Sequence, residues 1–349
     1  MKNKQVINER SFLHKFFIKL IRKFGYEVID QSILNIPSKN LEAHQNLSEG
    51  GKQSTSIPLG KTEITRKVKG LTIIIRSYTF GDVNDGKVML DQNKKRIFDL
   101  PKIEYTLRTI KSVIRSCEMA QEAFKDVDIK IIITDDKSKN ENLNKIDQIL
   151  KASNLQTELI NLHENEFNDQ IKTTDTEGKN ISKNMISNMR NLYKSIKIAE
   201  TEDTDLFYFL EDDYIHTREA ITEMLFTYEK ISSQLNQEIF LCPADYPYLY
   251  SYIDNSKIFY GNMRHWRSVN ETLITFLTSK KMINKYLDEL KLMACVRHHP
   301  MELKLHEIYK KEYCISPIPS LAMHATNINS TYGLPPNFNW KKIWDENDL

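Results

Sequence analysis

Residues 206–217 read LFYFLEDDYIHT. Leu206 to Leu210 form an unbroken apolar run, the pattern of a strand covered on both faces. The run ends abruptly in three adjacent carboxylates, Glu211, Asp212 and Asp213. Like charges this close repel one another and are costly to dehydrate. Either they form a wet turn after the strand, or something strongly positive lies against them.

Upstream, SKNMISNMRNLYKSIKIAE (182–200) has helical spacing and feeds directly into this strand. Earlier, GLTIIIRSY (70–78) is a β-branched run that predicts a buried strand. KIEYTLRTIKSVIRSCEMAQEAF (102–124) predicts a helix through Ile103, Leu107, Ile110, Val113 and Ile114. VDIKIIITDDKSKN (127–140) predicts a second strand ending at Asp135 and Asp136, followed by a helix in NLNKIDQILKAS and a short strand at TELINLH. This alternation implies an α/β domain: a Rossmann-like, mainly parallel sheet with right-handed crossovers and helices on both faces. Ligands bind such sheets beyond the carboxyl ends of the strands. Both acidic clusters, 135–136 and 211–213, fall at such ends.

The chain has 349 residues, of which 40% are apolar and 28% charged, enough for a sizeable core. A net charge of +2, from 49 basic and 47 acidic side chains, argues against a general nucleic-acid binder. Cys117, Cys242, Cys295 and Cys314 fit no zinc or redox spacing, so reduced thiols in the cytoplasm are expected. No apolar stretch approaches the ~20 residues of a spanning helix. Within residues 1–36, Phe12, Leu13, Phe16, Phe17, Leu20, Ile21 and Phe24 recur at helical spacing, with Lys15, Lys19, Arg22 and Lys23 filling much of the other side. Such a basic amphipathic helix lies peripherally on an anionic membrane, or docks its apolar face on protein. Residues 37–68 read as a polar linker, 69–330 as the main domain (halves about 69–215 and 216–330), and 331–349 as a C-terminal tail.

Three clustered anions call for a hard divalent cation, Mn²⁺ or Mg²⁺, which also absorbs the charge of a departing diphosphate. The pair at 135–136 reads equally well as a turn or helix cap.

From about 69 to 330 the chain resembles the GT-A-fold glycosyltransferases, particularly the family 2 type. TIIIRSYT (72–79) matches the first-strand pattern SIIIPTYN, and TDDKS (134–138) matches VDDGS. NMRN (188–191) stands where the family has ARN, and FLEDD (209–213) where it has FLDDD. HHPMELKLHEIYKKEYCISPIPSLAMH (298–324) matches the late acidic helix, proline, strand and histidine. The resemblance implies that Asp136 binds the base or ribose of the donor, supported by Asp135, and that Arg190 helps hold the nucleotide or diphosphate. Asp213, with Asp212 or Glu211, would hold the metal, and His324 would complete the metal or diphosphate contacts. Glu302, a first-turn helix residue that also reads as a dipole partner, is nominated as the base, with Asp245 as substitute. Trp266, in HWRS, and the tyrosines of ADYPYLYSY, Tyr246 among them, fall where an acceptor pocket belongs, although core packing is the commoner fate of a tryptophan.

Arg76 replaces the family's usual proline at the nucleotide end of the pocket, and the insertion at 81–96 is longer than the norm. The expectation is therefore a metal-dependent, inverting transferase that moves one sugar per encounter from a UDP- or GDP-linked donor to a glycan, lipid-linked or other hydroxyl acceptor. Two other readings are a sugar-1-phosphate nucleotidyltransferase, for which IIIRSYTFGDVNDGK is a poor triphosphate loop, and a non-catalytic glycan- or membrane-binding module.

Overall fold

The expected alternation is present in the computed structural model, which describes residues 12–24, 63–79, 97–98, 100–251, 253–325 and 333–348. The insertion at 81–96, most of the linker and Tyr252 lie outside the described residues. In chain order the helices are α1 (Phe12–Lys23), α2 (Lys102–Ala123), α3 (Asn140–Lys151), α4 (Lys183–Thr201), α5 (Ala220–Leu235), α6 (Lys280–Lys285), α7 (Leu287–Cys295), α8 (Leu303–Tyr309) and α9 (Trp340–Glu346). The strands are β1 (Gly70–Ser77), β2 (Asp128–Asp135), β3 (Gln156–Asn161), β4 (Leu206–Glu211), β5 (Tyr214–His216), β6 (Phe240–Leu241), β7 (Ile258–Tyr260), β8 (His265–Val269), β9 (Phe276–Ser279), β10 (Cys314–Ile318) and β11 (Ala322–His324).

Among the described residues nine strands form one sheet in the order β3-β2-β1-β4-β9-β6-β10-β8-β7. Strands β3, β2, β1, β4, β6, β10 and β7 share one direction, and β9 and β8 run against them. The β-branched run of β1 sits at the centre, with Ile73, Ile74 and Ile75 registered on Ile131, Ile132 and Ile133 of β2. On its other side Ile73 and Ile74 face Tyr208 and Phe209 of β4. All of these side chains are buried, as an apolar strand without alternation requires.

The crossovers place the helices. The chain steps outward through β1, α2, β2, α3 and β3, then returns through α4 to lay β4 on the other side of β1. Right-handed connections in opposite directions put their helices on opposite faces. Accordingly α2 packs with α3 and α5, whereas α4 packs on β1 and β2 and against α6 and α7. The oxygen of Ser182 caps α4 by accepting from Met185 N at 3.2 Å.

Packing onto the main domain begins before residue 69. Arg66 donates to both oxygens of Asp205 (2.6 and 2.9 Å) and to Glu238 (2.9 Å), and Val68 is buried. The end of the C-terminal tail is docked as well. Trp344 of α9 stacks on Phe98 at 3.8 Å and is edge-on to Tyr105 of α2, and Arg108 lies 4.3 Å over its ring. In α1, Phe16, Phe17, Leu20 and Phe24 are exposed. No described helix is long and apolar enough to cross a membrane.

Candidate active site

Because β1, β2, β4, β6 and β10 run in one direction, their carboxyl ends share one edge of the sheet. That edge carries Ser77, Asp135, Glu211 and, just beyond β6, Asp245. The short antiparallel pair β5–β11 registers His324 on Tyr214 and thereby brings the late histidine to the acidic triplet. His324 Nε2 lies 3.3 Å from Asp213 Oδ1, and its ring stacks on Tyr214 at 4.5 Å.

Each carboxylate of the triplet faces a positive group, and Asp212 and Asp213 share one. Glu211 Oε1 is 3.3 Å from Arg76 Nη2. Asp212 Oδ1 accepts from Lys102 Nζ at 2.6 Å, and its Oδ2 accepts from Thr106 Oγ1 (2.9 Å) and Tyr78 N (3.1 Å). Asp213 Oδ2 is 3.3 Å from the same Lys102 Nζ. The crowding of charge at the end of β4 is thus offset within the protein.

Lys102 was not legible as a site residue, yet it left a trace. A lysine in the first turn of a helix opposes the helix dipole, so its place at the head of α2 needs another reason, and the two aspartates supply it.

This arrangement does not fit the expected Mn²⁺ or Mg²⁺. Glu211 turns to Arg76, one oxygen of Asp212 is committed to Thr106 and Tyr78, and an ammonium lies between the two aspartates. Among the described residues no group of three His, Cys, Asp or Glu side chains is arranged to hold a metal ion.

Glu302 sits immediately before α8, partly exposed, with the charge of Glu211 acting on it. Burial pushes its carboxyl up to about 7; Glu211 adds to the rise, while Arg297 and Arg76 oppose it. A carboxylate with that affinity can take a proton near neutral pH. Arg297 was also missed, since nothing in its sequence context marks it.

The second acidic pair is more structural than expected. Asp135 Oδ2 accepts from Ser138 Oγ (2.6 Å) and Ser77 Oγ (2.8 Å), and Oδ1 from Ser138 N (2.9 Å). These bonds close the turn after β2, so the turn reading accounts for Asp135, whose carboxyl burial nonetheless pushes up. Asp136 is equally buried, accepting from Ser187 Oγ and lying 3.7 Å from Arg190 Nη1. Arg190 spends its fork elsewhere than on a diphosphate: Nε donates to Glu166 O (2.7 Å) and Nη2 to His163 O (2.8 Å), pinning the loop after β3.

Three further expectations are corrected. Asp245 is 1% exposed and tied up in the protein, its oxygens accepting from Arg267 Nη2 (2.7 Å) and Tyr250 OH (2.5 Å), so it presents no face to a substrate proton. Trp266 is 0% exposed, and its Nε1 donates to Glu223 Oε1 at 3.1 Å, so its ring has no face for a sugar. Tyr246 is likewise enclosed, with its hydroxyl 2.6 Å from that of Tyr214. His298 and His299 diverge, one to Val296 O and the other to Asp175.

A cleft of about 660 Å³ lined by Arg66, Lys69, Asp205, Glu238, Lys280 and Lys281 lies at the opposite, amino edge of the sheet. It is away from the edge where such sheets bind ligands, and its two acids are the partners of Arg66.

No family model and no curated protein matches the chain. Similar solved structures include S. aureus TarS residues 1–349, at 8% identity and a TM-score of 0.33 over 62% of this chain and 48% of that one. Another is galactosyltransferase LgtC in complex with donor and acceptor sugar analogues, at 13% identity and a TM-score of 0.32 over 63% and 65%. A third is a candidate UDP-N-acetylglucosamine pyrophosphorylase from Entamoeba histolytica, at 13% and 0.30 over 63% and 61%. The chain spans about half the length of the first and under two thirds of the others. Likenesses this distant carry no argument about activity or about which residues act.

Proposed function

We propose that this protein is a glycosyltransferase that moves a sugar from a uridine or guanosine diphosphate donor to a hydroxyl acceptor, such as a glycan or lipid-linked sugar, with inversion. The carrying observation is Glu302: burial pushes its carboxyl up to about 7, and it lies near enough to the paired Glu211 and Arg76 for both charges to act on it. The motif resemblance from 69 to 330 supports the same reading.

In this reading Glu302 takes the acceptor hydroxyl proton as that oxygen attacks the anomeric carbon. The bond from that carbon to the diphosphate oxygen breaks, and its electron pair leaves with the diphosphate. Attack from the side opposite the leaving group inverts the centre. A cation at the triplet end must meet the charge that develops there. The exposed aromatic face of α1, with exposed Lys19 and Lys23, supports a peripheral seat on an anionic membrane.

The test is a panel of nucleotide sugars scored for hydrolysis and for transfer to simple glycosides. Release of UDP or GDP from one donor, lost in Glu302→Gln, is the expected result. If no donor is bound or turned over, the reading is wrong.

A further inference from the structure

An ammonium has three N–H donors. Lys102 spends two, on Asp212 Oδ1 and Asp213 Oδ2, and among the described residues the third has no protein acceptor. Lys102 Nζ is also partly withdrawn from water, its side chain being 10% exposed. It cannot easily swing away, because α2 is held at its start. Tyr105 bonds the backbone of Phe98 and packs on Trp344, and Thr106, one turn from Lys102, is tied to Asp212.

We propose that the Lys102 ammonium is the resident cation of this site. It occupies the seat between Asp212 and Asp213 that a divalent ion would take, and its remaining N–H meets an oxygen of the leaving diphosphate. Donor binding then needs no metal. The diphosphate half of the inference rests on the glycosyl-transfer reading; the occupied seat does not.

The arrangement divides the labour of a metal ion. Asp212 and Asp213 hold the ammonium in place, as carboxylates hold a metal. The hydrogen bond to the diphosphate strengthens as the anomeric carbon–oxygen bond breaks and negative charge gathers on the leaving oxygen. No proton has to leave the lysine, and the electron pair stays on the diphosphate.

Two measurements on the full chain decide it. Mn²⁺ uptake is followed by the paramagnetic resonance of the free ion, and UDP and GDP binding by calorimetry with either EDTA or Mn²⁺ present. The wild type should leave the free Mn²⁺ signal unchanged and bind one of the nucleotides equally well in both conditions. Lys102→Ala should lose about 10- to 100-fold in metal-free affinity and begin to take up Mn²⁺ at the vacated seat. Lys102→Arg, which retains the charge, should keep most of the metal-free binding. If Lys102→Ala does not fold, the wild-type and Lys102→Arg measurements still decide. Uptake of Mn²⁺ by the wild type, with nucleotide binding that requires it, overturns the inference and leaves glycosyl transfer standing. Absence of binding to either nucleotide in all conditions instead overturns the transferase reading, while Mn²⁺ uptake still reports on the seat.

Discussion

Arg76 and Glu211 stand opposite each other in the parallel register of β1 and β4, with Arg76 Nη2 3.3 Å from Glu211 Oε1. Arg76 also donates to Asn188 Oδ1 and Ile274 O, so the guanidinium is fixed between β4, α4 and the segment before β9. A proline at position 76 could supply none of these bonds. The departure from the family pattern is therefore coupled to Glu211, and through it to Glu302.

That coupling predicts opposite shifts. Glu211 pushes the Glu302 carboxyl up and Arg76 pulls it down. Glu211→Gln should move the acid limb of the pH–rate profile to lower pH, and Arg76→Met should move it higher, each by about one unit or less. Shifts in the same direction would show that the two charges do not act on Glu302 separately.

Glu302 itself should govern turnover. Glu302→Gln should lower kcat by about 10²- to 10⁴-fold with little change in donor affinity, and should abolish the acid limb near pH 7. Its effect on stability has a defined sign. The folded value lies above the ordinary 4.5, so between pH 4.5 and 7 the native state binds more protons than the unfolded one, and stability falls as pH rises through that window. Denaturant titrations of the Gln variant should lack this fall.

His216 should act at acid pH in the opposite sense. It is fully enclosed, with Nδ1 donating to Tyr214 O and Nε2 accepting from Tyr208 OH, and burial pushes it down to about 4 from 6.5. Folding then excludes a proton that the unfolded chain takes up. Stability is fully present above pH 6.5 and declines toward pH 4, by about 3 kcal/mol in all. His216→Gln should flatten that decline in chemical denaturation.

Gly261 should tolerate no side chain. A Cβ there would lie 2.4 Å from Trp266 Nε1 and 2.6 Å from Glu223 Oε1. Glu223, buried in α5, accepts from the backbone of Asn262, Met263 and Arg264 as well as from Trp266. Gly261→Ala should cost about 1–3 kcal/mol, read as a lowered Tm, by disturbing the turn between β7 and β8.

For α1, deletion of residues 1–30 should release the protein from vesicles rich in anionic lipid in a sedimentation assay. Equal sedimentation of both forms would refute the membrane seat.

The order of strands and helices was already written in residues 70–211, because burial on both faces and on one face leave different periods in the chain. The ends of β2 and β4 were legible for the same reason, since apolar runs stop where charge begins. Pairing was not. Whether Asp245 meets water or Arg267, whether Trp266 presents its face or its Nε1, and whether Asp212 meets a metal or Lys102 all depend on partners from 22 to 110 residues away. Local pattern records how much of a side chain is covered; only the closed sheet, with α2 drawn across the end of β4, decides which atom does the covering.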